Sequence, residues 1–293
     1  MADNLPSSTA PSKTKLKQLI WPEPLVIEPT SPHTHTIILL HGRGSNAERF
    51  GLELLKSQSS DHGKTLAAHF PGLKFIFPTA KKRRARLYNR TPINQWFDHI
   101  LENGSSFRNE QLQYEGIRET TAFVHSLILQ EAELVGVDRV ILGGLSQGCA
   151  AALHVLLNFR PDNGSLGGFV GMSGWLPFEE MFVDSEEEDR GVEDTVDQTD
   201  LQISALNTAR DIASLSAIDL GKNQVPAFAH TPIFLGHGIH DEKVSIKLGE
   251  QARDVLQHLD CKIQWKAYDE GHWYKVPDQI DDMVVWLKSC MNI

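Results

Sequence analysis

Six short apolar runs, each stopped by Gly, Pro or a Gly-containing turn, constrain this chain more than any other feature. Thr36 to Leu40 ends in His41-Gly42, Leu73 to Phe77 at Pro78, and Val140 to Leu142 at Gly143-Gly144. Gly168 to Met172 ends at Ser173-Gly174, Ile233 to Leu235 at Gly236-His237-Gly238, and Lys262 to Tyr268 at Asp269-Glu270-Gly271. Strands covered on both faces have no wet side, so they read as continuous apolar runs rather than as alternation. Helical patterns fall between them, at 47–55, 112–135, 147–158, 244–259 and 279–291. In the last, Ile280, Met283, Val284 and Leu287 share one face. Alternation of this kind predicts an α/β fold: a mostly parallel sheet with helices on both faces and right-handed crossovers. At 293 residues the chain is long enough for one large α/β domain. The Ser/Thr/Pro/Lys-rich residues 1–20 read as a flexible tail, which leaves 21–293 for that domain.

The formal charge is −10. Residues 179–200 carry eleven acids and one Arg, so the rest of the chain is balanced. No broad positive surface is available for phosphate contacts, which excludes a general nucleic-acid binder. The acidic, aromatic-poor stretch starts an insertion at about 179–229, with a helix expected near 200–215. Cys149, Cys261 and Cys290 offer no disulfide framework and fit a reducing, cytoplasmic setting. The N-terminus lacks the apolar core of a secretory signal. The uncharged stretch Val140 to Leu157 reads as strand, turn and helix rather than a membrane span, and no lipid-anchor motif is present.

The chemistry centres on Gly144-Leu145-Ser146-Gln147-Gly148, a G-x-S-x-G pattern set between a strand and a helix. Gly on both sides permits a turn tight enough to lift the Ser146 hydroxyl above the sheet. The helix N-terminus beyond it favours negative charge. A serine hydroxyl needs a base. His272 follows the last expected strand, at the edge where such sheets build their sites. Asp241 follows the strand before that and would orient His272, with Glu242 as its fallback. The competing role for Asp241 is to cap the next helix. The backbone N–H groups of Gln147 and of Arg43, in the loop His41-Gly42-Arg43-Gly44-Ser45, are the expected oxyanion donors.

These motifs, with Phe77-Pro78-Thr79-Ala80, Trp96-Phe97-Asp98, Gly171 to Pro177, His237-Gly238 and Gly271-His272, resemble the acyl-protein thioesterase and carboxylesterase family of α/β hydrolases. The likeness runs from about Pro24 to Met291, except the insertion. It implies a single α/β-hydrolase domain and a cytosolic serine hydrolase that cleaves thioester-linked fatty acyl groups from proteins, or esters of lysophospholipids and small acids. It implies a Ser146–His272–Asp241 triad with no metal or other cofactor, and it places Trp96 and Trp175 near the acyl site. The chain departs from the family at Ser45, at the basic run Lys81 to Arg86, at Val244-Ser245 and in the length of the insertion. All four touch pocket walls rather than the triad. A small-molecule carboxylesterase and an idle hydrolase fold used as a binding module are the competing functions.

Two further features invite readings of their own. Lys81 to Arg86 is a solvated loop, a binder of anions, a nuclear signal, or the partner of the acidic insertion acting as a lid over the pocket. His33 with His35, and His237 with His240 and Asp241, lack the partner spacing of a zinc site.

Overall fold

The computed structural model describes residues 21–102, 106–108, 111–162, 164–183, 197–221 and 224–293. The strands are β1 (Leu25–Ile27), β2 (His35–Leu40), β3 (Leu73–Phe77), β4 (Lys82–Ala85), β5 (Thr91–Asn94), β6 (Ile100–Glu102), β7 (Ser106–Arg108), β8 (Val140–Leu145), β9 (Gly168–Met172), β10 (Ile233–Gly238) and β11 (Ile263–Tyr268). The helices are α1 (Ala47–Lys56), α2 (Leu66–His69), α3 (Gln111–Val135), α4 (Gln147–Asn158), α5 (Gln198–Ile212), α6 (Ala227–His230), α7 (Ile246–His258) and α8 (Asp278–Met291). Seven strands form the central sheet in the order β1-β3-β2-β8-β9-β10-β11. Only β1 runs antiparallel, pairing Leu25 with Phe77 at one edge. The fold is therefore that of an α/β hydrolase.

Both faces of the sheet are covered, and alternate residues serve opposite faces. Ile38, Leu40, Leu142, Phe169 and Leu235 pack toward α3, α4, α5 and α7. Their neighbours Ile37, Leu39, Ile141, Val170 and Phe234 pack toward α1 and α8. This double burial is why the strands carry unbroken apolar runs. Every residue of α4 is buried, as befits a helix held between β8 and its neighbours α3 and α5. Val140 to Leu157 is strand, turn and helix, and no helix among the described residues is long and apolar enough to cross a membrane.

The expected helix near 200–215 is α5, and Asp197 caps it by accepting from the Thr199 N–H at 2.9 Å. The tail at 1–20 and the acidic residues 184–196 lie outside the described residues, so the expected lid pairing falls largely outside them too. The solvated-loop reading of Lys81 to Arg86 needs correction. This run enters a β-hairpin, β4 against β5, with Lys82 opposite Asn94 and Ala85 opposite Thr91. Lys81 is buried: its Nζ lies 3.6 Å from Glu119 and 4.8 Å from the Trp21 ring centroid. Arg83 pairs with the same Glu119 carboxylate. A carboxylate on α3 thus draws in alternate residues of the run and leaves the others outside.

Candidate active site

The site is built where β8 meets α4. Ser146 sits at φ 56° and ψ −123°, a left-sided conformation that costs a non-glycine residue of order 1–3 kcal/mol. The neighbours make this turn possible. A Cβ on Gly144 would lie 2.5 Å from the Gly148 carbonyl carbon, and one on Gly148 would lie 2.2 Å from the Leu40 carbonyl oxygen. The Ser146 N–H donates to Met172 O at 2.8 Å, which ties the elbow to β9.

Ser146 Oγ and His272 Nε2 are 2.9 Å apart, and His272 Nδ1 is 2.7 Å from Asp241 Oδ2. With Nδ1–H donating to the carboxylate, Nε2 is left to accept from the serine hydroxyl. The two expected roles of Asp241 coexist on its two oxygens. Oδ1 accepts from the Lys243 and Val244 N–H groups at 2.9 and 2.8 Å, which shapes the turn before α7, while Ser245 caps the helix itself. Oδ2 faces His272, and His237 Nε2 stands 3.4 Å away. Burial alone would raise the Asp241 carboxyl, but the nearby His237 ring and the hydrogen bonds from His272 and the Val244 N–H outweigh it and hold the group well below the usual carboxylate range. Glu242 is exposed and makes no bond to His272 among the described residues.

Gln147 opens α4, so its backbone N–H has no intrahelical acceptor. No backbone acceptor among the described residues occupies the Arg43 N–H. A Cβ on Gly42 would sit 3.4 Å from Ser146 Cβ, which shows how closely this loop lies against the nucleophile. A network that sequence reasoning missed ties the two loops together. Gln147 Oε1 accepts from the Trp96 N–H at 3.0 Å, so its amide nitrogen is the donor to Phe97 O at 2.7 Å and to His99 Nδ1 at 2.8 Å. The Arg43 guanidinium donates to His99 O at 3.1 Å. Trp96 Nε1 donates to His41 O at 2.7 Å. Residues 96–99 are thus a strut joining the side chains of both expected oxyanion residues. Desolvation, followed by the Arg43 charge, pushes the buried His99 imidazole well below its ordinary value, so it is neutral. With Nδ1 accepting, its proton is on Nε2. Nothing in the local sequence singles out His99 or the Gln147 amide, because their partners lie about 50 residues apart in the chain.

A cavity of about 250 Å³ opens over Ser146, His272, Gln147 and Arg43. Trp175 lines it, with its ring centroid 5.1 Å from that of His99. Tyr88, Lys243 and Trp273 also line it, and no sequence motif points to them. Trp96 is corrected: it is fully buried behind the His41-Gly42 loop and does not line the cavity. Its large ring stacks against Trp21, which makes it a core residue. Cys149 is also core, its thiol pushed up to about 12 by burial. Among the described residues, no group of three or more His, Cys, Asp and Glu side chains is arranged to hold a metal. His33 hydrogen-bonds Thr36 at 2.9 Å, and His240 pairs with Asp269 at 2.8 Å.

A serine on a strained strand-to-helix elbow, bonded to a histidine and a buried aspartate above a parallel sheet, defines the α/β-hydrolase class. Within that class a family model described as Phospholipase/Carboxylesterase matches residues 22–190, and the chain belongs to that family. The chain is 29% identical over 277 residues to acyl-protein thioesterase 1 of Yarrowia lipolytica, covering 92% of this chain and 97% of the relative. It is 27% identical to acyl-protein thioesterase 1 of Saccharomyces cerevisiae, covering 89% and 95%. The crystal structure of Zea mays acyl-protein thioesterase 2 superposes with a TM-score of 0.65 at 25% identity, covering 92% of this chain and 99% of that one.

Proposed function

We propose that this protein is a serine hydrolase that cleaves carboxylic esters and thioesters through an acyl-enzyme, with acylated proteins as its principal substrates. The observation that carries the reading is the unbroken chain Ser146 Oγ, His272, Asp241, with links of 2.9 and 2.7 Å. Ser146 attacks the acyl carbonyl while His272 Nε2 takes its proton. Asp241 holds the imidazole in the productive tautomer and stabilises the imidazolium. The Arg43 and Gln147 N–H groups receive the developing oxyanion, and each such donor is worth about 10²–10³ in rate. His272 then returns the proton to the leaving thiol or alcohol. Water repeats the sequence and frees the acid. This route calls on no cofactor. The thioesterase names of relatives matched over almost their whole length support the thioester side of the reading. A cytoplasmic setting fits three cysteines that are all free.

The test is hydrolysis of p-nitrophenyl esters and acyl thioesters from two to sixteen carbons, with Ser146→Ala as control. The proposal expects both bond types to be cleaved and Ser146→Ala to lose the activity and its labelling by a fluorophosphonate. Equal rates for wild type and Ser146→Ala would overturn it.

A further inference from the structure

A second concavity, of about 710 Å³, lies beside the catalytic cavity and is nearly three times its volume. It runs between the β4–β5 hairpin and the first turns of α3. Its lining carries Lys82, Arg84, Arg86 and Arg90, none of which forms an ion pair among the described residues. Arg83 also lines it but is spent on Glu119. Only two carboxylates, Asp98 and Glu115, face these cations among the described residues. In a chain of charge −10 this is a local reversal of sign.

The hairpin has a second face. Between its strands a short turn carries Tyr88 into the catalytic cavity, where the Arg43 guanidinium lies 5.4 Å from the Tyr88 ring centroid. One hairpin therefore walls both spaces. A ligand held by the arginines is held next to the route by which substrate reaches Ser146.

We propose that this groove binds a carboxylate-rich stretch of the acyl-protein substrate, on the leaving-group side of the scissile bond. The inference rests on the acyl-protein reading above. The planar guanidinium matches a carboxylate in two-point contact, and several exposed forks along a groove suit a row of Asp and Glu side chains. The concave shape, with Gly116 and Pro92 in its walls, admits a chain. A flat lipid surface would meet only the rim. Four such cations are also too few for the long positive stripe that a nucleic-acid duplex requires.

The experiment uses the full chain and two acyl-cysteine peptides that differ only in their flanks, Asp/Glu in one and Asn/Gln in the other. Exposed pairs each contribute less than a factor of about five, so three together give about a tenfold lower KM for the acidic peptide, equivalent to about 1.4 kcal/mol. That preference should vanish in about 0.5 M NaCl, where charges are screened within a few ångströms. It should also vanish in the triple variant Arg84→Glu, Arg86→Glu, Arg90→Glu, with turnover of p-nitrophenyl butyrate unchanged. A preference that survives the triple variant, or none in the wild type, overturns the proposal. So does cosedimentation with phosphatidylserine vesicles that the triple variant abolishes while the two peptides remain equivalent, which would assign the groove to lipid. A second readout separates this proposal from the acyl-protein reading: fluorescence anisotropy of the non-acylated acidic peptide with Ser146→Ala protein. Binding without hydrolysis of either acyl-peptide by the wild type would keep the groove and sink the parent reading; loss of binding would sink the groove.

Discussion

Replacing Asp241 by Asn changes one atom, and the surrounding hydrogen bonds dictate how the imidazole responds. Oδ1 is fixed as an acceptor by two backbone N–H groups, from Lys243 and Val244. The amide nitrogen must then take the place of Oδ2, 2.7 Å from His272 Nδ1. It can only donate there, so Nδ1 must accept and the imidazole proton moves to Nε2. That proton points at Ser146 Oγ from 2.9 Å, and the base can no longer take the serine proton. Restoring the productive tautomer would require flipping the amide, which strands the buried Val244 N–H and the half-buried Lys243 N–H at about 1–3 kcal/mol each. A total of about 2–6 kcal/mol corresponds to a loss of about 30-fold to 10⁴-fold in kcat at 1.4 kcal/mol per decade. An Asn in the triad of a serine protease costs about 10⁴ by the same logic. The assay is kcat and KM on p-nitrophenyl acetate, with a thermal melt to verify folding. KM should stay within a factor of two or three, and Asp241→Ala, which imposes no tautomer, should be no worse than Asp241→Asn. A folded Asp241→Asn enzyme that keeps more than one tenth of wild-type kcat would refute the reasoning and return Glu242 to consideration.

The strut and the buried histidines yield two more expectations. Gln147→Met keeps the volume but strips the partners of the Trp96 N–H, Phe97 O and His99 Nδ1; kcat should fall about 10- to 100-fold, below the loss of a whole oxyanion donor, with KM little changed, and an unchanged kcat would show that residues 96–99 do not hold the oxyanion loops. His41, His125 and His154 are each pulled down to about 4 by burial. The unfolded chain binds protons near pH 6.5 that the folded chain refuses until about pH 4, so their contribution is intact above pH 6.5 and is lost as pH falls through that window, by up to about 3 kcal/mol per histidine. Urea midpoints measured from pH 7 to pH 4 should fall accordingly and fall less in His154→Gln; parallel curves for the two proteins would contradict this.

What the sequence determined is what short-range physics dictates. All six runs appear as strands within a few residues of where composition puts them, and in five of them double burial leaves the strand continuously apolar. The sixth, Lys262 to Tyr268, lies at the sheet edge and shows its polar side there. The elbow is legible because only Gly fits beside Leu40 and within the turn at Ser146. The order Ser146, Asp241, His272 reflects strand ends, since a parallel sheet brings those ends to one edge. Tertiary structure alone decided the rest, wherever a residue's role is set by a partner far along the chain. Lys81 and Arg83 look like part of a solvated charge run until Glu119, on α3, turns them inward and leaves their neighbours lining a groove. Trp96 and Trp175 are alike in composition and motif, yet one hydrogen-bonds His41 O inside the core and the other faces the cavity. The Gln147 amide matters only because the segment from Trp96 to His99 folds back onto it. Local patterns encode which elements form and where they end; which side chains meet is settled when those elements pack, because hydrogen-bond and ion-pair energies fall off within a few ångströms and sequence separation does not measure that distance.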